Sequence, residues 1–434
     1  MLLKVAVVGG GIGGLALASS LCRHPDKFDV RVYERRRGPA ESGTGMVLWP
    51  NGIRALRQLQ VELEKDGKAV GAEQKVVLVG ERTVPQQFPE DARAVMVAWR
   101  DLRDALLQRV PAGRVVYDRA ITGIEGGNDG KCKVRFEGKA GRSAQQIVEV
   151  DLLVGADGIR SSTRALLEPR SPAMANRSEL SDDIIDAGRV VFRAVISSRA
   201  HPQLATYCPE GAAVIKRLVG EDGLSVAFMD VGQDQMYWAI VMDHDLLLKK
   251  LGTEVWKVPE ECSDAAARDA LVALITGSDS DKQMMRTLLH ATAPGDLYVS
   301  RNLSRKPTFE ASWTGTFPQA TLLGDSMHAV LPSYGQGACL ALEDAAVLSQ
   351  MLVNASPDNS HLVQECLRAY ETERLKRTAQ IQIASFKSGA EWRGTSTSFY
   401  NDKYEFLDRP QAVVPWMWSW GSQAHSGGPP RATT

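Results

Sequence analysis

Lys4–Val8 is a short β-branched run without alternation, the pattern of a parallel strand buried on both faces. Leu15–Leu21 follows as a run of good helix formers. A second strand, Asp29–Tyr33, ends at Glu34. Further strand-like runs lie at Gly188–Ser197, Ala212–Leu218, Leu224–Met229 and Gln235–Met242. With segment 75–99 they predict a mainly antiparallel sheet. Residues 264–290 read as helical, and 361–393 as one long amphipathic helix with Leu362, Cys366, Tyr370 and Leu375 near helical spacing. Trp416, Trp418 and Trp420 recur with a period of two, the pattern of an extended segment packed on the body. A membrane-interface anchor, a cavity contact and a dimer contact are the other readings of these tryptophans. From Gly421 onward the chain is rich in Gly, Ser and Pro and predicts disorder.

Composition narrows this picture. At 434 residues the chain is long enough for two domains or one composite domain, and 44% apolar residues supply an ample core. Basic and acidic residues nearly cancel, 51 against 52, so no global field favours nucleic acid or an anionic membrane. The six cysteines, at positions 22, 132, 208, 262, 339 and 366, form no CxxC pair. That argues against a zinc site or a disulfide framework and for reduced thiols in a cytoplasmic protein. Val5–Leu21 is apolar but short of the ~20 residues of a membrane span, and no small-residue cleavage site closes it.

The candidate chemistry sits between the elements. Gly9, Gly11 and Gly14 form GxGxxG between the first strand and the first helix. The first glycine permits the tight turn, the second lets backbone approach a pyrophosphate, and the third lets helix and strand pack closely. The helix N-terminus then offers free N–H groups to the phosphates. Glu34, twenty residues past Gly14, stands where a carboxylate takes a ribose hydroxyl. This constellation reads as a dinucleotide site and does not separate NAD from FAD. Two more strand-to-helix junctions follow. One is Gly155-Ala-Asp157-Gly158 before a helix near Ser161, which Asp157 could instead simply cap. The other is Gly324-Asp325, followed by Pro332-Ser-Tyr-Gly-Gln-Gly337 opening a long helix from about Ala338.

These three ordered motifs resemble the class A FAD-dependent monooxygenases, the salicylate and para-hydroxybenzoate hydroxylase type. The Gly324–Asp344 run is most similar in motif to zeaxanthin epoxidases, urate hydroxylases and fungal secondary-metabolite monooxygenases. The resemblance spans about residues 3–385. It implies an α/β fold: a Rossmann-like FAD-binding domain, discontinuous over 1–73, 100–180 and 290–350, with an inserted, mainly antiparallel substrate domain over 74–99 and 181–289. A helical region over 351–420 and a tail over 421–434 complete the division. It also implies residue roles. Gly9, Gly11 and Gly14 would line the pyrophosphate, and Glu34 and Arg35 the adenosine part. Gly45 and Arg100 would reach the cofactor, Asp157 would serve FAD and NAD(P)H, and Asp325 would bind the ribityl or pyrophosphate end. Gly337, Ala338 and Cys339 would sit under the isoalloxazine, Cys339 through its backbone.

By the same resemblance, NADPH or NADH reduces FAD, and a flavin C4a-hydroperoxide hydroxylates or epoxidises an electron-rich aromatic or olefinic molecule. Oxygen and a small aromatic or isoprenoid-like substrate are the partners, with a homodimer as the assembly. Phenolic substrates need a cationic partner or a base, and the candidates on the roof strands are Arg193, Tyr237 and Trp238. Met46, Trp49, Pro332 and Tyr334 are the candidate cavity lining. His328 reads as a packing residue, and no GxSxG elbow supports a hydrolase. A flavin halogenase, or a flavoprotein that inserts no oxygen, is the alternative. The C-terminal Trp-Met-Trp-Ser-Trp run lacks the Ile-Pro of the halogenase motif and lies at the wrong end of the chain.

Overall fold

The computed structural model describes residues 2–39, 44–63, 69–71, 76–79, 93–126, 130–138, 145–168, 183–208, 213–217, 224–251, 268, 271–272, 275, 280–309, 312–354, 360–391 and 416–421. In chain order the strands are β1 (Leu3–Val8), β2 (Phe28–Tyr33), β3 (Gly45–Leu48), β4 (Ala69–Gly71), β5 (Val76–Val79), β6 (Val95–Ala98), β7 (Val115–Val116), β8 (Ala120–Gly126), β9 (Cys132–Glu137), β10 (Gln146–Val150) and β11 (Leu152–Gly155). After them come β12 (Ile184–Ser197), β13 (Ala213–Arg217), β14 (Ser225–Gly232), β15 (Gln235–Asp243), β16 (Tyr298–Arg305) and β17 (Ala320–Leu322). The α-helices are α1 (Ile12–Leu21), α2 (Pro50–Gln58), α3 (Trp99–Leu107), α4 (Ser162–Leu167), α5 (His244–Leu251), α6 (Ser280–Ala291), α7 (Asp325–His328), α8 (Gly337–Asn354) and α9 (Ser360–Glu391).

A five-stranded parallel sheet in the order β17-β11-β1-β2-β7 forms the floor of the molecule. Every β1 residue except Lys4 is buried, as its unbroken apolar run requires. In register, Val8 lies opposite both Tyr33 and Gly155, and Gly155 lies opposite Leu322. Four strands therefore end on one line. The three sequence motifs and Glu34, far apart in the chain, leave the sheet side by side at its carboxyl edge, where open α/β sheets bind ligands. All of α1 is buried, and it packs along α8.

The second large sheet has the order β16-β12-β15-β14-β13-β5 and is antiparallel except for the parallel β13–β5 pair. Its strands alternate between two faces. Phe192, Ala194, Trp238 and Ile240 point into a core shared with Leu247, Met285 and Leu288 of α5 and α6. Val191, Val195, Tyr237 and Ala239 point the other way, toward Ala98. The strand runs expected from sequence recur here. Segment 75–99 is the exception: β5 joins this sheet, but β6 pairs with β3 and β4 in a separate three-stranded sheet. A third antiparallel sheet, β10-β9-β8, flanks the floor.

The long C-terminal helix is present as α9. The tryptophan segment departs from expectation: residues 416–418 form a helical turn rather than an extended strand, and Gly421 at φ +73° closes it. All three tryptophans are nonetheless buried on the body. The tail beyond Gly421 lies outside the described residues. Five cysteines are free thiols, and Cys262 lies outside the described residues. Among the described residues no helix is long and apolar enough to cross a membrane.

Candidate active site

The carboxyl edge of the parallel sheet is shaped mostly by main chain. Gly9 has φ +111°, and a Cβ there would lie 2.3 Å from the Ala156 carbonyl oxygen. A Cβ on Gly14 would lie 2.1 Å from the Gly9 carbonyl. The folded chain itself therefore requires both glycines. Gly11 is different: a Cβ there meets nothing within 4 Å, and the same holds at Gly158, whose φ is +82°. Gly11 leaves backbone accessible, as close approach of a pyrophosphate demands. It is also the N-cap of α1, where no side chain takes the helix N–H groups.

Glu34 closes the far side of this cradle. Its carboxylate accepts the Gly10 N–H at 2.7 Å and the Arg36 N–H at 2.9 Å, one on each oxygen. Each oxygen keeps a second lone pair for a ribose hydroxyl. Arg35 next to it is exposed. Asp157 commits both oxygens to the start of α4: Oδ1 accepts Ser161 Oγ at 2.5 Å, and Oδ2 accepts the Thr163 N–H at 3.0 Å and its hydroxyl at 3.1 Å. Ser161 Oγ in turn caps the Arg164 N–H at 2.9 Å. Burial raises the Asp157 carboxyl above its ordinary range, against these hydrogen bonds. Desolvation raises the Asp325 carboxyl too, against the nearby His328 and Arg305 charges, but its partners differ. Asp325 is an exposed residue at the start of α7 and takes no hydrogen bond or ion pair among the described residues.

The loop before α8 is the next wall. Pro332 is exposed, Tyr334 half-buried, and Gly335 turns with φ +60°. Gly337 and Ala338 are half-buried at the helix start. The Cys339 side chain turns inward: its sulfur accepts the Trp49 N–H at 3.4 Å and would lie 2.7 Å from a Cβ on Gly52. Burial pushes its thiol up to about 12, so it is a neutral packing group.

Behind the loop lies a charge network that sequence reading missed as a site. Glu343 accepts Asn51 Nδ2 at 2.7 Å and Arg377 through both Nε and an Nη at 2.7 Å, and forms an ion pair with Arg374 at 2.7 Å. Asn51 also donates to Gln336 Oε1 at 2.9 Å. Asp344 accepts Arg374 Nε at 2.7 Å and the Gly324 N–H at 2.9 Å, and pairs with His328 Nε2 at 2.6 Å. Burial alone would raise the Asp344 carboxyl, but His328 and Arg374 outweigh it and hold it at about 2. The network thus ties the Gly324–Asp325 turn to α8 and α9. Its one sequence signal is the pair of arginines three apart on a single helix face.

The roof presents Arg193 and Tyr237 on one face. They are diagonal neighbours, because Arg193 pairs with Ala239 across β12 and β15. Half-buried Arg193 donates Nε to Thr44 Oγ1 at 2.8 Å and an Nη to Ser300 Oγ. A Cβ on Gly45 would lie 2.5 Å from the Tyr237 Cβ, so that glycine admits the tyrosine against β3. Burial raises the Tyr237 hydroxyl above its ordinary pKa, partly offset by Arg193, so it is a neutral donor at pH 7. Trp238, expected in the cavity, lies on the opposite face. The pleat turns it into the outer core, fully buried, with Nε1 donating to Thr292 Oγ1 at 3.0 Å. Met46 is half-buried beside Gly45. Arg100 is 43% exposed and reaches Gln235 Oε1 at 3.5 Å.

Residues 7–45 match the NAD(P)-binding Rossmann-like domain family, and residues 318–385 match the FAD binding domain family. The two stretches carry the Gly9–Glu34 cradle and the Asp325–α9 wall. The chain is 27% identical to the 3-amino-4-hydroxybenzoate 2-monooxygenase PtmB3 of Streptomyces platensis, over 97% of this chain and 96% of that one. It is 26% identical to a salicylate hydroxylase of Pseudomonas putida, over 89% and 85%. These matches and relatives support a class A FAD-dependent aromatic hydroxylase. Its fold is that of Klebsiella pneumoniae HpxO, solved with FAD and uric acid: TM-score 0.69, 20% identity, 96% of each chain covered. As an FAD-dependent monooxygenase of this family, the protein uses FAD and an NAD(P)H donor. Neither named relative is a halogenase. The open backbone at Gly11, the uncapped α1 and the unpaired Asp325 fit the cofactor.

Proposed function

We propose that this monooxygenase hydroxylates a phenolic aromatic acid, held by Arg193 on the roof. The observation that carries this reading is the surroundings of that guanidinium. Its neighbours are the hydroxyls of Thr44, Ser300 and Tyr237, and no carboxylate pairs with it among the described residues. A half-buried arginine with hydroxyl partners alone has donors to spare for an anion in a fixed, bidentate geometry. The named relatives act on 3-amino-4-hydroxybenzoate and salicylate, both aromatic acids of this kind.

When bound, FAD reduced by NAD(P)H activates oxygen and supplies one of its atoms to the substrate. The chain's own residues bind, orient and exclude water. Gly9, Gly11 and Gly14 take the pyrophosphate, Glu34 and Arg35 the adenosine, and Asp325 the ribityl end. Gly337, Ala338 and the Cys339 backbone take the flavin side. Gly45 and Arg100 close the crevice from the roof side. Asp157 acts by fixing the start of α4 beside the cradle. Arg193 holds the substrate's anionic group, and neutral Tyr237 donates a hydrogen bond to it. Met46, Trp49, Pro332 and Tyr334 shape the pocket, and the roof keeps out the water that would divert the activated oxygen. Residues 1–73, 100–180 and 290–350 form the cofactor domain of this reading, and 74–99 and 181–289 the substrate domain. A cytoplasmic homodimer, consistent with the free thiols, completes it.

The test is substrate-stimulated NAD(P)H oxidation with salicylate, 3-hydroxybenzoate and 3-amino-4-hydroxybenzoate, with product mass followed. One added oxygen atom in the product is expected. Absence of both stimulation and mass gain across the panel rejects the reading. Arg193→Ala should raise KM for the accepted acid about 10- to 100-fold, the worth of a charged hydrogen bond. Unchanged KM removes Arg193 from the substrate site.

A further inference from the structure

The C-terminal tryptophan segment is docked by specific contacts that the reaction described above does not use. Arg54 of α2, 6% exposed, donates an Nη to the Trp418 carbonyl at 2.5 Å and to the Trp420 carbonyl at 3.3 Å. Arg377 donates to the Met417 carbonyl at 2.7 Å while holding Glu343, and its guanidinium lies 5.3 Å from the Trp416 ring centroid. The Trp418 ring stacks on Trp49, with centroids 5.0 Å apart and planes 21° from parallel. The Nε1 edge of Trp49 abuts the loop, since a Cβ on Gly335 would lie 2.8 Å from it, and the Trp49 backbone N–H donates to Cys339 Sγ at 3.4 Å. A single stack thus links the far C-terminal segment to the loop that opens α8.

We propose that Trp418, acting through Trp49, is a positioning residue for the Gly335–Cys339 wall of the flavin pocket. The stack fixes the Trp49 indole, the indole fixes the turn at Gly335, and that turn sets where Gly337 and Ala338 stand. Trp416 does not stack on Trp49, and it reaches the loop only at several removes, through Arg377, Glu343 and Asn51 to Gln336. It rests on Arg377, outside the line from Trp418 to Gly335. The two tryptophans are buried alike, at 8% and 6% exposure, so they contribute similar apolar burial and differ in what they touch.

The inference rests on the flavin-side role given to the loop, and the experiment separates the two. FAD affinity is titrated by flavin fluorescence on the full chain without substrate, and the absorption spectrum of bound FAD is recorded. Ala338→Leu tests the loop itself; if it leaves both readouts unchanged, the flavin-side role of the loop fails. With that role upheld, Trp418→Ala should raise the FAD Kd about tenfold and shift the spectrum, while Trp416→Ala, at similar thermal cost, stays within about twofold. Trp418→Phe, which keeps a stacking ring, should restore most of the affinity. Trp49→Phe, which removes the edge at Gly335, should shift the spectrum even if Trp418→Ala does not fold. Wild-type spectra and affinity in Trp418→Ala or in Trp49→Phe overturn the proposal, as does an equal effect of Trp416→Ala.

Discussion

The floor and the roof of the crevice are built from different materials. At the floor the parallel strands end together, and the working surface is main chain: turns at Gly9, Gly158 and Gly324, all at positive φ, and the open start of α1. At the roof the backbone is ordinary antiparallel sheet, and the working surface is whichever side chains the pleat turns inward, Arg193 and Tyr237 rather than Phe192 and Trp238. A cofactor with fixed phosphates can be met by backbone N–H groups, which every relative can supply alike. A substrate that differs between enzymes has to be met by side chains, which can be exchanged without disturbing the sheet.

The sharpest way to break this contrast lies within the floor. Gly9→Ala puts a Cβ 2.3 Å from a backbone oxygen at a φ that other residues avoid. The conformational part alone costs about 1–3 kcal/mol, and the clash adds to it. Thermal melting should show a large loss of stability together with loss of bound FAD. Gly11→Ala adds the same methyl into open space. It should leave the melting temperature of the FAD-free protein near wild type while lowering FAD affinity about tenfold or more. Equal melting temperatures for the two variants would remove the distinction between glycines the fold needs and glycines the ligand needs.

A second effect concerns the network that holds the floor to the helices. Asp344→Asn leaves the buried Arg374 guanidinium with Glu343 as its one carboxylate partner among the described residues, and the loss should approach the about 3–5 kcal/mol of a broken buried pair. The wild-type protein carries a matching pH dependence. The Asp344 carboxyl is depressed from 3.8 to about 2 on folding, so its contribution is present above 3.8 and is lost as the pH falls through about 2. That shift corresponds to stability on the order of 2 kcal/mol. Melting curves between about pH 5 and about pH 1 should fall more steeply for wild type than for Asp344→Asn; parallel curves would contradict the assignment. The smallest effect is Ser161→Ala, which removes the α4 cap and should cost about 1 kcal/mol by chemical denaturation, with FAD affinity little changed.

The glycine cradle was readable in the sequence because a glycine is a statement about backbone. Gly9, Gly11, Gly14 and Glu34 are local in the chain, and their spacing carries the geometry. Asp157 was readable as a site only in part: both of its oxygens serve α4, the capping role its position before Ser161 allowed. Trp238 was misplaced because a strand pattern does not say which face meets the cofactor; that depends on which side α5 and α6 cover. The tryptophan triplet misled for a related reason. A period of two is also met in a helical turn when every side of the turn is buried, here between α2 and α9.

By itself, then, the sequence determined the parts whose instructions are local: the buried first strand, the glycine turn, the acid at the end of the second strand and the order of the three junctions. Only the tertiary structure decided which of these stand together and what they face. Arg193 meets Thr44 across 149 positions and Ser300 across 107, and Asp344 gathers Gly324 and His328 from the two ends of α7 and Arg374 from α9. Such contacts arise from strand register and helix packing, which are set by the whole core at once and leave no periodic trace in any one segment.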